Sequence, residues 1–128
     1  MTPIVCFDID GVIADGTAAE VYSDAAGWAY EKCIPIKSVI SLIWDLHNQG
    51  VTIILHTARP KKDRKKTEKW LFDYGVTYDE LVMDKPFAHM YVDDRNFPVA
   101  FDPSADGVRS AVLQRLQSMC YEGSKNLK

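Results

Sequence analysis

Cys6-Phe7-Asp8-Ile9-Asp10-Gly11-Val12 closes an apolar run that begins at Ile4 and sets two carboxylates one residue apart. Ile4 to Phe7, followed at once by Gly11, is the pattern of a strand buried on both faces and ending in a turn. Asp8 then stands at a strand's carboxyl end, the edge of an open α/β sheet at which ligands bind. Asp10, past a turn that Gly11 permits, addresses the same place from another direction. Taken alone, Asp-x-Asp reads more simply as an Asx-type turn whose carboxylates cap backbone amides. The rest of the chain decides against that reading.

Outward from this stretch, polar clusters recur at the ends of apolar runs. Ile36, Val39, Ile40, Ile43 and Trp44 mark one face of a helix over residues 36–49, with Gly50 as its C-terminal cap. A second buried strand, 51–55, ends at His56-Thr57-Ala58-Arg59-Pro60. Thr67, Trp70, Leu71 and Tyr74 before Gly75 predict a helix over 63–74. Strands at 80–83, 90–92 and, weakly, 99–101 follow; the first ends at Asp84-Lys85-Pro86 and the second at Asp93-Asp94-Arg95. Val108, Ala111, Val112, Leu116 and Met119 mark a last amphipathic helix. Successive βα units predict an α/β, Rossmann-like three-layer fold around a mostly parallel five-stranded sheet. One domain over 1–121 is expected, with a flap at 13–35 and a frayed polar tail at 122–128. In the flap, Trp28 and Tyr30 read as pins to the body of the protein rather than as ring-stacking groups.

At 128 residues, 47% hydrophobic and 26% charged, the chain has the composition of one ordinary globular domain. No apolar run approaches the roughly 20 residues of a membrane span, and Met1-Thr2-Pro3 lacks the basic start of a signal peptide. Three scattered cysteines without metal-type spacing read as reduced thiols, so the expected setting is cytoplasmic. A net charge of −3 argues against a general nucleic-acid coat while allowing a local basic patch.

In a parallel sheet the strand ends carrying Asp8 and Asp10, Thr57, Lys85, and Asp93 and Asp94 open on one edge. Converging carboxylates repel unless a cation sits among them, and oxygen-only ligation suits Mg²⁺ bound together with a substrate phosphate. A lysine and a threonine hydroxyl aimed at the same point suit the remaining phosphate oxygens. The favoured chemistry is phosphoryl transfer.

The ordered set Phe7-Asp8-Ile9-Asp10-Gly11-Val12, Thr57, Lys85 and Asp93-Asp94 resembles the four motifs of the haloacid dehalogenase-like phosphatases, over residues 4–95. Val12 departs from the Thr that many members carry. The short segments between motifs are similar to those of capless members, a type with minimal or no cap. Among these, Thr57-Ala58-Arg59, Tyr78-Asp79-Glu80-Leu81, Lys85-Pro86 and Tyr91-Val92-Asp93-Asp94 resemble bacterial phosphatases assigned to capsule or polysaccharide synthesis. Thr67-Glu68-Lys69-Trp70 and Asp93-Asp94-Arg95 resemble, more loosely, the phosphatase domain of phage polynucleotide kinase. The resemblance implies that Asp8 attacks phosphorus to form an aspartyl-phosphate and that Asp10 serves as general acid and base. Holding a proton on Asp10 near neutral pH calls for burial or like-charge neighbours. Asp8, Asp10 through its carbonyl, and Asp93 would hold Mg²⁺ with Asp94 beside them. Thr57 and Lys85 would neutralise the transferring group, and Arg59, Gly11 and Ala58 are the substrate-binding candidates.

Each residue also has a plainer reading. Thr57 alone would be a helix N-cap and Lys85 a surface lysine. Asp93-Asp94 could cap a turn, Arg59 is balanced between a substrate phosphate and a neighbouring acid, and His56 is the histidine at a strand end. The run Lys61-Lys62-Asp63-Arg64-Lys65-Lys66 puts five cations at a helix start, where the dipole disfavours them, and so suggests attraction of an anionic substrate. A phospho-accepting receiver domain uses similar residues but carries its Lys last, whereas Lys85 precedes Asp93; an idle scaffold would have lost motif residues. The expected substrate is a small phosphomonoester such as a sugar phosphate, with a polynucleotide 3′-phosphate end as the alternative. No membrane partner is expected, and the chain is expected to be a monomer or small homo-oligomer.

Overall fold

The computed structural model describes residues 2–17, 22–23, 27–88, 91, 93–95 and 105–118. The apolar run becomes β1 (Ile4–Asp8). It is followed by β2 (Ala14–Asp15), β3 (Tyr22–Ser23), β4 (Gly27–Trp28), a 3-10 turn at Tyr30–Lys32 and β5 (Ile34–Pro35). Next come α1 (Lys37–Asn48), β6 (Thr52–His56), a 3-10 turn at Lys61–Asp63, α2 (Arg64–Asp73), β7 (Glu80–Val82) and α3 (Ala105–Ser118).

β1, β6 and β7 form a parallel sheet in the order β1-β6-β7, with Asp8 opposite His56 and His56 opposite Val82. Parallel neighbours need crossovers, and α1 and α2 supply them. Two right-handed crossovers stepping the same way put both helices on one face of the sheet. Phe7, Ile53, Leu55 and Leu81 share a face in this register, and all are buried. On the other face Ile4 is 62% exposed and Cys6 is exposed. β1 is therefore not buried on both faces as its apolar run predicts: both crossovers cover the Phe7 side. Of the strand expected at 90–92 only Tyr91 is described, and it lies in no strand; the strand expected at 99–101 and the tail at 122–128 lie outside the described residues.

α1 buries Val39, Leu42, Ile43 and Leu46, a stripe at i, i+3, i+4 and i+7. Trp44, placed on the buried face by the sequence, is 56% exposed because it lies five residues past Val39, well round the helix from that stripe. Past the helix, Gly50 has a φ of 88°, a left-handed conformation that is costly for a residue with a Cβ. Its amide donates to the His47 carbonyl and that of Val51 to the Leu46 carbonyl, both at 3.0 Å, satisfying the last turn. Gly75 and Val76 close α2 with the same pair of bonds, to Phe72 and Leu71. α2 buries Thr67, Trp70 and Leu71, whereas Tyr74 is 42% exposed with its ring tilted against Trp70. α3 packs on α1 through buried Leu113 and Leu116, and Arg109 donates to Asp45 at 2.7 Å. Leu113 was not among the predicted positions. The side chains of Val108, Ala111, Val112 and Met119 fall outside those described.

The flap holds two antiparallel pairs, β2 with β5 and β3 with β4. Ile13, Ala14, Tyr30 and Cys33 are buried, the Ile36 amide donates to the Ile13 carbonyl at 2.8 Å, and the Trp70 indole donates to the Cys33 carbonyl at 3.1 Å. The segment that shows no periodicity is thus fastened to the core at both ends.

Candidate active site

The turn after β1 is tied to one carbonyl. Ile9 accepts from the amides of Val12, Ile13 and Ala14, while the Gly11 amide donates to the Ala14 carbonyl at 2.9 Å. Gly11 takes a φ of 86°, which lets the chain reverse here. Ile9 is wholly buried, so the carboxylates on either side of it both keep access to solvent.

Asp8 is half-buried. One of its oxygens accepts the Ile9 amide at 2.8 Å; the other lies 3.9 Å from the Lys85 ammonium. Burial pushes its pKa above the usual carboxylate range; Lys85 and the Ile9 amide oppose that shift and Asp10 adds to it. Lys85 is set in place by backbone pairing across two loops. The Thr57 amide donates to Val82, that of Lys85 to Thr57, and that of Asp84 to Arg59. Asp84 makes this turn with a φ of 60°, a conformation that Asp tolerates better than most residues. The Lys85 ammonium also lies 4.4 Å from the centre of the Tyr91 ring. Behind it, burial and then the Lys85 charge lower the pKa of His56.

Asp10 is held quite differently. The Arg59 guanidinium donates to both of its oxygens, at 2.9 and 2.7 Å, in a two-pronged pair. Arg59 is 4% exposed, donates also to the Thr67 hydroxyl at 3.2 Å, and lies 3.8 Å above the centre of the Tyr30 ring. Tyr30 donates to Asp63 at 3.1 Å; burial raises its pKa, and the hydrogen bond to Asp63 and that charge raise it further. The balance left open for Arg59 falls toward the neighbouring acid. The expectation that Asp10 is buried is corrected: its side chain is 48% exposed and is paired with a cation, although Asp8 stands beside it as a like charge. Burial acts on Asp8.

Thr57 is fully buried, and its hydroxyl accepts the Arg59 amide at 3.1 Å. It closes a local turn and does not cap a helix, since α2 starts only at Arg64. Ala58, Gly11, Asp10 and Arg59 line one cavity of about 460 Å³, together with Trp28 and Phe87. Tyr30 is a pin, as its burial shows. Trp28, 49% exposed and stacked on Tyr30, is half pin and half wall. Asp93 and Asp94 are exposed, and Asp93 accepts the Arg95 amide at 2.8 Å. Among the described residues no group of three or more His, Cys, Asp or Glu is gathered to hold a metal ion. Arg64 of the basic run pairs with Glu68 at 2.6 Å, whereas exposed Lys62 and Lys66 line a second cavity of about 470 Å³.

Sequence reasoning missed Tyr30 as the platform under Arg59 and Thr67 as its partner. The signal was a polar Thr67 on the apolar face of α2, because a buried hydroxyl needs a hydrogen-bond partner. Asp15, which accepts both the amide and the hydroxyl of Thr17, carried no such signal.

The fold is Rossmann-like α/β. A crystallised target protein from Vibrio cholerae superposes with a TM-score of 0.58 at 21% identity, over 75% of this chain and 83% of that one. A chain of the Pnkp1/Rnl/Hen1 complex matches with a TM-score of 0.55 at 25% identity, over 73% of this chain and 30% of that one. A chain of the Pnkp1/Rnl/Hen1 RNA repair complex matches with a TM-score of 0.54 at 19% identity, over 89% and 31%. In sequence, a Bacillus cereus protein provisionally named a nucleotidase is 35% identical over 51 residues, 40% of this chain and 27% of that protein. The chain thus spans about a quarter of that curated relative's length. No family model matches the chain. No helix among the described residues is long and apolar enough to cross a membrane.

Proposed function

We propose that this chain is a haloacid dehalogenase-type phosphomonoester hydrolase acting on a small phosphorylated molecule, with Asp8 as nucleophile. The observation that carries the reading is the state of Asp8. It is a carboxylate at a strand's carboxyl end, raised in pKa by burial, with one oxygen fastened by an amide and the other facing a lysine 3.9 Å away. That second oxygen attacks phosphorus as the bond to the leaving oxygen breaks, which splits one hard displacement into two easier ones. Asp10, half-exposed, takes up a proton from solvent as one of its bonds to Arg59 gives way, hands it to the leaving oxygen, and later takes one from the water that attacks the aspartyl-phosphate. Arg59 holds both Asp10 oxygens, so it orients the acid, and one of its two hydrogen bonds gives way at each proton transfer. Lys85 offsets charge on the transferring oxygens.

The donors fit Mg²⁺ in kind, being hard oxygens beside a half-buried carboxylate that Lys85 only partly offsets. Asp8, the Asp10 carbonyl and Asp93, with Asp94 adjacent, would hold the ion. When bound it would supply charge neutralisation between Asp8 and the phosphate oxygens. The nucleotidase name of the Bacillus cereus relative and the presence of the polynucleotide kinase/phosphatase Pnkp1 in the matching complexes support the reading of a phosphatase-type hydrolase.

The test is hydrolysis of a generic aryl phosphate with Mg²⁺ by the wild type, Asp8→Asn and Asp10→Asn. Loss of turnover in both folded variants is expected; no wild-type turnover across a broad phosphomonoester panel, or full activity in Asp8→Asn, ends the proposal. A polynucleotide 3′-phosphate is the second reading, favoured by the 25% identity to a chain of the Pnkp1 complex. A 3′-phosphorylated oligonucleotide preferred over small esters, with a preference that fades as salt rises, would put that reading first.

A further inference from the structure

We infer that the leaving group of the substrate carries a flat ring seated against Trp28 and, beside it, a second anionic group met by Lys62 and Lys66, as in a small nucleotide bearing two phosphates. This rests on the phosphatase reading above and names its substrate class. The leaving oxygen takes its proton from Asp10, so the remainder of the leaving group lies in the space that Asp10 lines. That space is the cavity of about 460 Å³, within the size range of small-molecule sites.

Its walls suit a ring. Trp28 is 49% exposed and Phe87 is 84% exposed, both on this cavity. Trp28 lies parallel to Tyr30, with ring centres 6.3 Å apart and planes within 10°. Tyr30 is itself fixed by Arg59 against its face and by its bond to Asp63. The indole is thus held by a rigid partner while half its surface stays open, the arrangement a stacking platform requires.

The same cavity is unsuited to a second anion. Asp15 lies on its wall, and its carboxylate would repel one. The adjoining cavity of about 470 Å³ shares Trp28 and Pro60 with the first and brings Lys62 and Lys66, so the cations flank the wall on which the ring would stack. Among the described residues its one carboxylate, Asp63, already accepts from Tyr30. A bare sugar phosphate would use neither the aromatic wall nor the lysines.

Ribose 5-phosphate, adenosine 5′-monophosphate and adenosine 3′,5′-bisphosphate share a leaving alcohol and add first the ring and then the second anion. The expected kcat/KM rises about tenfold or more from the first to the second, mostly in KM. It rises several-fold again to the third at low salt, and that gain disappears at high salt. Trp28→Ala is expected to collapse the ratio of monophosphate to ribose phosphate toward one, with Trp28→Phe retaining most of it. Lys62→Ala with Lys66→Ala is expected to collapse only the ratio of bisphosphate to monophosphate. Equal efficiency for all three compounds, ratios that survive these substitutions, or a bisphosphate gain indifferent to salt would overturn the inference. A calorimetric titration of the wild type with each compound in EDTA, where binding is read without turnover, separates the two proposals. Tighter binding of the ring-bearing compounds that Trp28→Ala abolishes supports the subsite even if no ester is hydrolysed, and equal or absent binding of all three refutes it whatever the activity.

Discussion

Asp8 and Asp10 stand two residues apart and are held in opposite ways. Asp10 has both oxygens clamped by a buried guanidinium that is itself fixed by Tyr30 and Thr67. Asp8 has one oxygen fixed by its neighbour's amide and the other facing an ammonium 3.9 Å away. The Asp10 end is preorganised, and its charge is answered within the protein. The Asp8 end is left electrostatically incomplete, and burial raises its pKa for that reason. Under the proposed function this division is what the chemistry asks for. The acid needs a set direction, whereas the nucleophile needs room for a phosphate and a cation that arrive from outside.

The contrast breaks first at Asp8. Asp8→Asn is expected to lower turnover by at least about 10³-fold while the melting temperature in EDTA holds or rises. The folded chain binds the Asp8 proton more tightly than the unfolded chain, so this group adds stability as pH falls through its folded pKa and opposes the fold above it. A lower melting temperature with turnover retained would make Asp8 a structural residue.

Arg59→Ala should show the reverse balance, with stability falling by about 3 kcal/mol in urea denaturation as Thr67 and the Tyr30 face lose their partner. Arg59→Lys should recover less than half of that, because an ammonium cannot grip both oxygens. Full recovery would mean that charge alone matters there. Lys85→Met sharpens the other side: stability within about 1 kcal/mol of wild type, as for a loose and partly exposed pair, but turnover lower by about 10²-fold. A stability loss as large as that of Arg59→Ala would erase the distinction.

The smallest effect belongs to a carboxylate outside the site. Asp79 accepts the Ile53 amide at 2.8 Å, and that bond, opposed by slight burial and aided by His47, lowers its pKa. Asp79→Ala should cost about 1 kcal/mol near neutral pH. A depressed pKa gives stability that is present above the unfolded value and lost as pH falls through the folded one. The two proteins should therefore converge in thermal scans below about pH 4, and a gap independent of pH would assign the effect to packing.

Much of this was legible in the chain. The period of Val39, Ile43 and their neighbours, the β-branched run before His56, and Gly50 and Gly75 beyond the helix ends are local signals, set by interactions within one or two turns. From them follow the parallel strands, and from parallel strands the gathering of Asp8, Thr57 and Lys85 on one edge. The errors were of another kind. Ile4 reads as core because an apolar run does not say which face a crossover covers, and Trp44 was placed on the wrong side of α1 because its period was counted from the wrong stripe.

By itself, then, the sequence determined the element order, the strand ends and the meeting of Asp8, Thr57 and Lys85 there, because those depend on short-range periodicity and on one topological rule. The tertiary structure alone decided what each group pairs with. Arg59 and Asp10 lie 49 residues apart, and Tyr30 and Asp63 lie 33 apart. A guanidinium carries the same charge whether it is offered to a substrate or closed on a carboxylate. Only packing, which buried Arg59 against Tyr30 and left Lys85 at arm's length from Asp8, chose between them.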